Sequence, residues 1–180
     1  MRLRPLRDDD AAALAGYRSD PETARFQGWS LPYTVAQARE LAAGQVALRP
    51  GTPGTTFQFA LERRTEPGLI GDVMLATGPD PRLVSIGFTL APGHRGHGYA
   101  TEAVDALLAA LFATGRVHRV EARLDPRNVR SVALLDRLGF TREGTLRQAY
   151  WDTDGWTDDA VHGLLAAEYG GFRPSGRSAH

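Results

Sequence analysis

The sequence predicts an α+β fold (mixed α/β): a mostly antiparallel mixed sheet flanked by helices. Three observations lead there. Short turn-forming links, Glu66-Pro67-Gly68 and Gly78-Pro79-Asp80-Pro81, join three strand-like runs in mid-chain, which favours an antiparallel meander. The last of these runs passes through a glycine-rich loop into an apolar helical pattern and then another strand. That order makes one βαβ unit, so a parallel pair with a right-handed crossover is added to the meander. Finally, 180 residues suit one domain with a core of its own, placed at 1–170, with 171–180 as a flexible tail.

Taken in order, Arg2 to Arg7 reads as a short strand with Leu3 and Leu6 available to the core. Asp8 to Asp10 are N-cap candidates for a helix through about Ser19. Thr34 caps a second helix whose Val35, Ala38, Leu41 and Ala42 share one stripe. The meander strands are Thr56 to Arg63, Leu69 to Ala76 and Leu83 to Leu90. The helix after the glycine loop places Ala103, Val104, Leu107, Leu108, Leu111 and Phe112 on one face and stops at Gly115. Val117 to Leu124 is the next strand, and Asn128 to Arg137 is a helix ended by Gly139. Phe140 to Trp151 and Trp156 to Tyr169 form a final pair around Asp154-Gly155.

Composition excludes several function classes. Net charge is zero and the pI is about 7.0, so no global field recruits nucleic acid or anionic lipid. No apolar run reaches bilayer-spanning length, and the N-terminus lacks an apolar signal core, which points to the cytoplasm. With no cysteine there is no disulfide, no thiolate metal site and no acyl-cysteine intermediate. With no lysine there is no Walker-type phosphate loop and no Schiff-base chemistry. All 21 basic residues are arginine, the usage of a GC-rich bacterial genome.

The informative segment is Arg95-Gly96-His97-Gly98-Tyr99-Ala100, between a strand and a helix. Glycines let backbone N–H groups approach a ligand closely, and a helix start adds unpaired donors and a positive dipole end. Together they form an anion site, most often for phosphate. A dinucleotide fold uses a similar pattern, and Glu121 lies at the spacing of its ribose-binding acid. The preceding meander argues against that fold, which is built from successive βαβ units.

Pro92-x-x-Arg95-Gly96-x-Gly98-Tyr99-Ala100-Thr101-Glu102-Ala103 resembles the acetyl-CoA-binding motif of the GNAT N-acetyltransferase superfamily. Asn128-x-x-Ser131-x-x-Leu134, Leu138-Gly139-Phe140-x-x-Glu143-Gly144, Trp156-x-Asp158, His162-x-Leu164-Leu165 and Glu168 are similar to its RimJ/RimL-like branch. The resemblance implies a GNAT-like fold whose fourth and fifth strands splay into a cleft. It implies acetyl-CoA as cosubstrate, no metal, an amine acceptor and a homodimer. It places the cofactor on Leu90, Arg95, Gly96, His97, Gly98, Tyr99, Ala100, Thr101 and Asn128. It makes the Leu90 backbone N–H the donor that polarises the thioester carbonyl, and Ser131 the acid for the departing thiolate. Trp29 and Tyr33 fall on the acceptor side.

Plainer readings stand beside these. Asn128 is an ordinary N-cap type, and His97 suits a solvated loop. His94 and His97 lack a third metal ligand nearby. Trp29 and Tyr33 equally suit caps on the core. The general base is open: the RimL-type Glu is replaced near Tyr150, leaving Asp152, Asp158 and Glu121 as candidates, each also an ordinary turn or strand-end carboxylate. The implied activity is acetyl transfer to a protein N-terminus or a small amine such as an antibiotic. A non-catalytic acyl-CoA-binding or sensing module and a nicotinamide-dependent oxidoreductase are the rivals.

Overall fold

In a computed structural model that describes residues 1–152 and 155–172, β1 (Arg2–Pro5), β2 (Thr56–Glu62), β3 (Leu69–Thr77), β4 (Leu83–Leu90), β5 (Arg119–Leu124), β6 (Thr141–Asp152) and β7 (Gly155–Leu165) form one sheet. Its order is β1-β2-β3-β4-β5-β7-β6. The first four strands are an antiparallel meander, and β4 and β5 are the parallel pair. The helices are α1 (Ala11–Arg18), α2 (Pro21–Ala24), α3 (Val35–Ala43), α4 (Tyr99–Ala113) and α5 (Val129–Arg137). Among the described residues, no helix is long and apolar enough to cross a membrane.

Strand alternation divides the core in two. Leu61, Val73, Leu75, Ile86, Val120 and Leu164 face the side covered by α4 and α5, where they meet Val104, Leu108 and Leu135. Their neighbours of opposite parity, such as Ala60, face Leu6, Leu14, Tyr17 and Ala38 beneath α1 and α3. Leu108 is fully buried, so truncation to Ala would cost about 2–5 kcal/mol.

Three local readings are corrected. β1 stops at Pro5 rather than Arg7, because a proline brings no N–H to continue the ladder. Asp8 to Asp10 do not cap α1 with a side chain but form a short 3₁₀ turn. Asp10 instead takes both Arg4 Nη atoms, at 2.6 and 2.8 Å: a buried guanidinium needs the carboxylate more than a helix end does. The fifth strand begins at Arg119, two residues later than Val117. At the C-terminus, Phe172 packs on the main core and its N–H donates to Asp105 Oδ1 at 2.9 Å. The packed chain thus runs through Gly171 and Phe172, and residues 173–180 lie outside those described.

Candidate active site

The cleft arises where pairing stops. β4 and β5 are in register from Leu83↔Arg119 to Ile86↔Ala122, and no pair joins Gly87–Leu90 to Arg123–Leu124. On the other edge of β4, Ala91 N–H donates to Ile70 O at 2.9 Å. The alternation of a strand then turns the Leu90 N–H away from β3, toward the edge β5 has left.

Beyond Leu90, Pro92–His94 make a 3₁₀ turn. Gly96 (φ +81) and Gly98 (φ +80) follow in the left-handed region, and α4 starts at Tyr99. A Cβ at either glycine would meet open space, so the dihedral rather than a neighbour demands glycine. Among the described residues, no side chain caps the first turn of α4. This uncapped helix start beside two left-handed glycines fits a pyrophosphate. Tyr99 and Ala100 lean on the main core, and Thr101 is buried, which leaves their backbones for a ligand. His97 is exposed and stacks on Tyr99, with ring centroids 5.4 Å apart. Among the described residues, no three His, Asp or Glu side chains cluster as a metal site.

The Arg95 guanidinium is turned away from the loop. Its Nε donates to Leu90 O at 3.3 Å and its Nη2 to Thr23 Oγ1 at 2.5 Å. Across the cleft, Asn128 caps α5, its Oδ1 accepting the Ser131 N–H at 3.2 Å. The Ser131 side chain is half-buried in the first turn, and its hydroxyl has no partner among the described residues.

The side on which the resemblance puts the acceptor is built from distant pieces. Asp72, inside β3, is 1% exposed. It accepts hydrogen bonds from the Tyr17 hydroxyl, from Arg18 Nη2 at 3.1 Å and from Gln58 Nε2 at 2.6 Å. The Arg18 guanidinium lies 4.4 Å from the Trp29 ring centre and 5.0 Å from that of Tyr33, and Trp29 Nε1 donates to Arg18 O at 2.9 Å. Tyr33 is buried in the second core. These two aromatics therefore hold the 25–33 loop against α1. On the far side, a Cβ at Gly28 would strike the Tyr150 hydroxyl, so the β6–β7 hairpin reaches that loop.

The carboxylates divide sharply. Glu121 is held by Arg119 at 3.3 Å and Arg123 at 2.8 Å. Asp158 accepts the Gln148 N–H at 3.0 Å, at a bulge in β6. Asp152 ends β6 near the hairpin tip. Burial pushes the Asp159 pKa above the ordinary carboxylate value, outweighing Arg123 at 3.6 Å. Burial and the Asp152 and Asp159 charges also raise the Tyr150 hydroxyl, so these three groups share one field. Asp159 was not among the candidate bases read from the sequence. Strand parity was the available signal, since it turns Asp158 and Asp159 to opposite faces.

Several late motif residues are structural. Glu143 takes both Arg119 Nη atoms at 2.5 Å. Glu168 accepts the Leu165 N–H at 3.0 Å. His162 is fully buried, with neither ring nitrogen hydrogen-bonded among the described residues. Trp156 stacks edge-on against Trp151. A depression of about 460 Å³, lined by Thr55, Thr77, Ser85 and Arg119, lies at the closed end of the β4–β5 pair, away from this chemistry.

Comparison with known proteins agrees with the geometry. Residues 1–141 match the acetyltransferase (GNAT) domain family. The uncharacterized N-acetyltransferase p20 of Bacillus licheniformis is 31% identical over 173 residues, which cover 95% of this chain and 96% of that protein. Mycobacterium smegmatis RimJ, solved in complex with CoA-disulfide, superposes with a TM-score of 0.79 at 27% identity, over 92% of this chain and 82% of RimJ. A GNAT-family acetyltransferase from Bacillus anthracis gives a TM-score of 0.81 over 92% of this chain and 95% of that one, a likeness of fold at 23% identity. With the family matched over most of its length and a relative above 30% identity along nearly all of it, the chain belongs to the GNAT acetyltransferase family and is an N-acetyltransferase.

Proposed function

We propose that the chain moves an acetyl group from acetyl-CoA to a primary amine by direct attack in the β4–β5 cleft. The observation that carries this reading is the open β4 edge running straight into the left-handed glycine loop. Backbone amides from Gly96 to Thr101 hold the pyrophosphate, and β4 pairs with the pantetheine arm. Bound acetyl-CoA supplies a thioester carbonyl. The Leu90 N–H meets the negative charge that develops on its oxygen. Ser131 gives a proton to the departing thiolate, and Asn128 fixes the helix turn that presents it.

An attacking amine must first shed a proton. Asp159 accepts it through water, because its raised pKa brings it closer to the working range than an ordinary carboxylate. Asp152 helps to draw the cationic acceptor in. Without cysteine there is no acyl-cysteine route, so both substrates meet in one complex. The acceptor is a protein N-terminus or a small amine, in a bacterial cytoplasm, with neither nucleic acid nor membrane as partner. A homodimer suits the long, exposed β6 at the sheet edge.

A panel of peptides with free α-amino groups and of small amines, read by release of free CoA thiol, tests the reading. Acceptor-dependent release is expected. Acetyl-CoA binding without release from any amine would favour a sensing module. On the responsive amine, the rate should rise with pH as Asp159 loses its proton, and Asp159→Asn should remove that limb.

A further inference from the structure

Arg95 belongs by position to the acetyl-CoA loop, yet its three side-chain nitrogens face other groups. Nε donates to the carbonyl of Leu90, the residue whose amide serves the thioester oxygen. Nη2 donates to Thr23 Oγ1 and lies 3.9 Å from Asp20 Oδ2, while Nη1 lies 3.8 Å from Glu22 Oε2. Thr23 is itself buried and fixed. Its N–H and hydroxyl both donate to Asp20 Oδ2, at 2.9 and 2.6 Å, and that side chain caps α2. The chain Leu90–Arg95–Thr23–Asp20 joins segments about seventy residues apart in sequence: the end of β4, and the short helix that leads into the acceptor-side loop. Two carboxylates already offset the guanidinium charge, which weakens what it offers a phosphate. Its planar fork instead suits holding two fixed acceptors at once.

We propose that Arg95 is a positioning residue that ties the Leu90 end of β4 to α2, so that the thioester and amine sites keep one relative geometry. The inference rests on the acetyl-transfer reading of the cleft. In that geometry a small misplacement matters, because an offset of about 1 Å can cost on the order of a hundredfold in rate. A tie of this kind acts on the amine's approach and spares acetyl-CoA affinity, which the backbone amides supply.

The test compares Arg95→Met, Thr23→Val and the double variant, with acetyl-CoA affinity measured by calorimetry. Turnover is measured at saturating acetyl-CoA on a peptide with a free α-amino group and on an aminoglycoside. Each single change should lower kcat/KM for the amine roughly 5- to 150-fold, the span of site-to-site coupling, with acetyl-CoA Kd within about twofold of wild type. The double variant should be no worse than the poorer single one, because both remove the same link. Thr23→Ser, which restores the hydroxyl, should recover most of the loss. Weakened acetyl-CoA binding in Arg95→Met with unchanged amine kinetics would make Arg95 a phosphate ligand and overturn the proposal. So would independent, multiplying effects of the two changes.

Amide hydrogen exchange on the free protein separates the two readings. Arg95→Met and Thr23→Val should each speed exchange over residues 20–26, and wild-type exchange there would defeat the tie whatever the turnover. If the wild type binds no acetyl-CoA and uses no amine, the acetyl-transfer reading fails, and exchange alone then decides whether the tie exists.

Discussion

The proposed acetyl-CoA half and the proposed acceptor half of the cleft are built in opposite ways. The first is a single stretch, from β4 through Gly98 into α4, whose geometry follows from local dihedrals. The second draws Tyr17, Arg18, Trp29, Gln58 and Asp72 from four regions of the chain and binds them through the buried Asp72 charge, while Tyr150 of the β6–β7 hairpin reaches the same loop at Gly28. Local geometry can be written into a motif, while a buried network exists only after folding. The first half should therefore fail by losing its ligand, and the second by losing stability.

Ser131 stands between the halves and gives the largest effect. Ser131→Ala should lower kcat about 100- to 10,000-fold, the range for a proton donor, with acetyl-CoA affinity nearly constant. The defect should shrink toward alkaline pH, since a free thiol with pKa near ~8.5 leaves unaided there. Loss of acetyl-CoA binding instead would move Ser131 wholly into the first half.

Asp72→Ala sharpens the comparison from the other side. It strips a buried Arg18 of its charge partner, and removing one member of a buried pair costs about 3–5 kcal/mol. Urea denaturation should show that loss, and acetyl-CoA should still bind the folded fraction. A much smaller loss would mean that Arg18 finds water or another partner.

The same contrast explains what was legible in the sequence. β4 and its glycine turn follow directly from Leu83 to Ala100, because a left-handed φ and a helix start leave glycine as the easy choice. Thr34 reads correctly as a cap because its partner Gln37 is three residues away. Asp72 gave no signal, being one acid in an apolar run whose partners lie 14 to 55 residues off. Asp10 misled because the buried Arg4, six residues back in β1, claims its carboxylate. Glu143 and Glu168 carry family resemblance and serve the sheet, so a motif alone does not separate chemistry from architecture.

Gly98→Val probes the local half at smaller cost to the fold. A β-branched residue at φ +80 is strained, by roughly 1–2 kcal/mol for a left-handed L-residue. Its side chain would project into open space where a pyrophosphate lies in the proposed complex. Calorimetry should find acetyl-CoA affinity lost and circular dichroism the fold retained. Unchanged affinity would remove the loop from the binding site.

The smallest effect comes from a local device inside the non-local half. Thr34 Oγ1 accepts the Gln37 N–H at 3.2 Å, and Gln37 Oε1 accepts the Thr34 N–H at 2.8 Å, a reciprocal cap on α3. Thr34→Ala breaks it and should cost about 1 kcal/mol, the usual worth of such a cap. α3 packs on α1 through Ala38 in the second core, and among the described residues none of its side chains hydrogen-bonds to Asp72. The loss should therefore appear as a lower Tm with acetyl-CoA affinity and amine kinetics unchanged. A change in amine KM would show that the start of α3 also sets the Trp29–Tyr33 loop, because Thr34 directly follows Tyr33, and the acceptor half would then rest on local geometry as well.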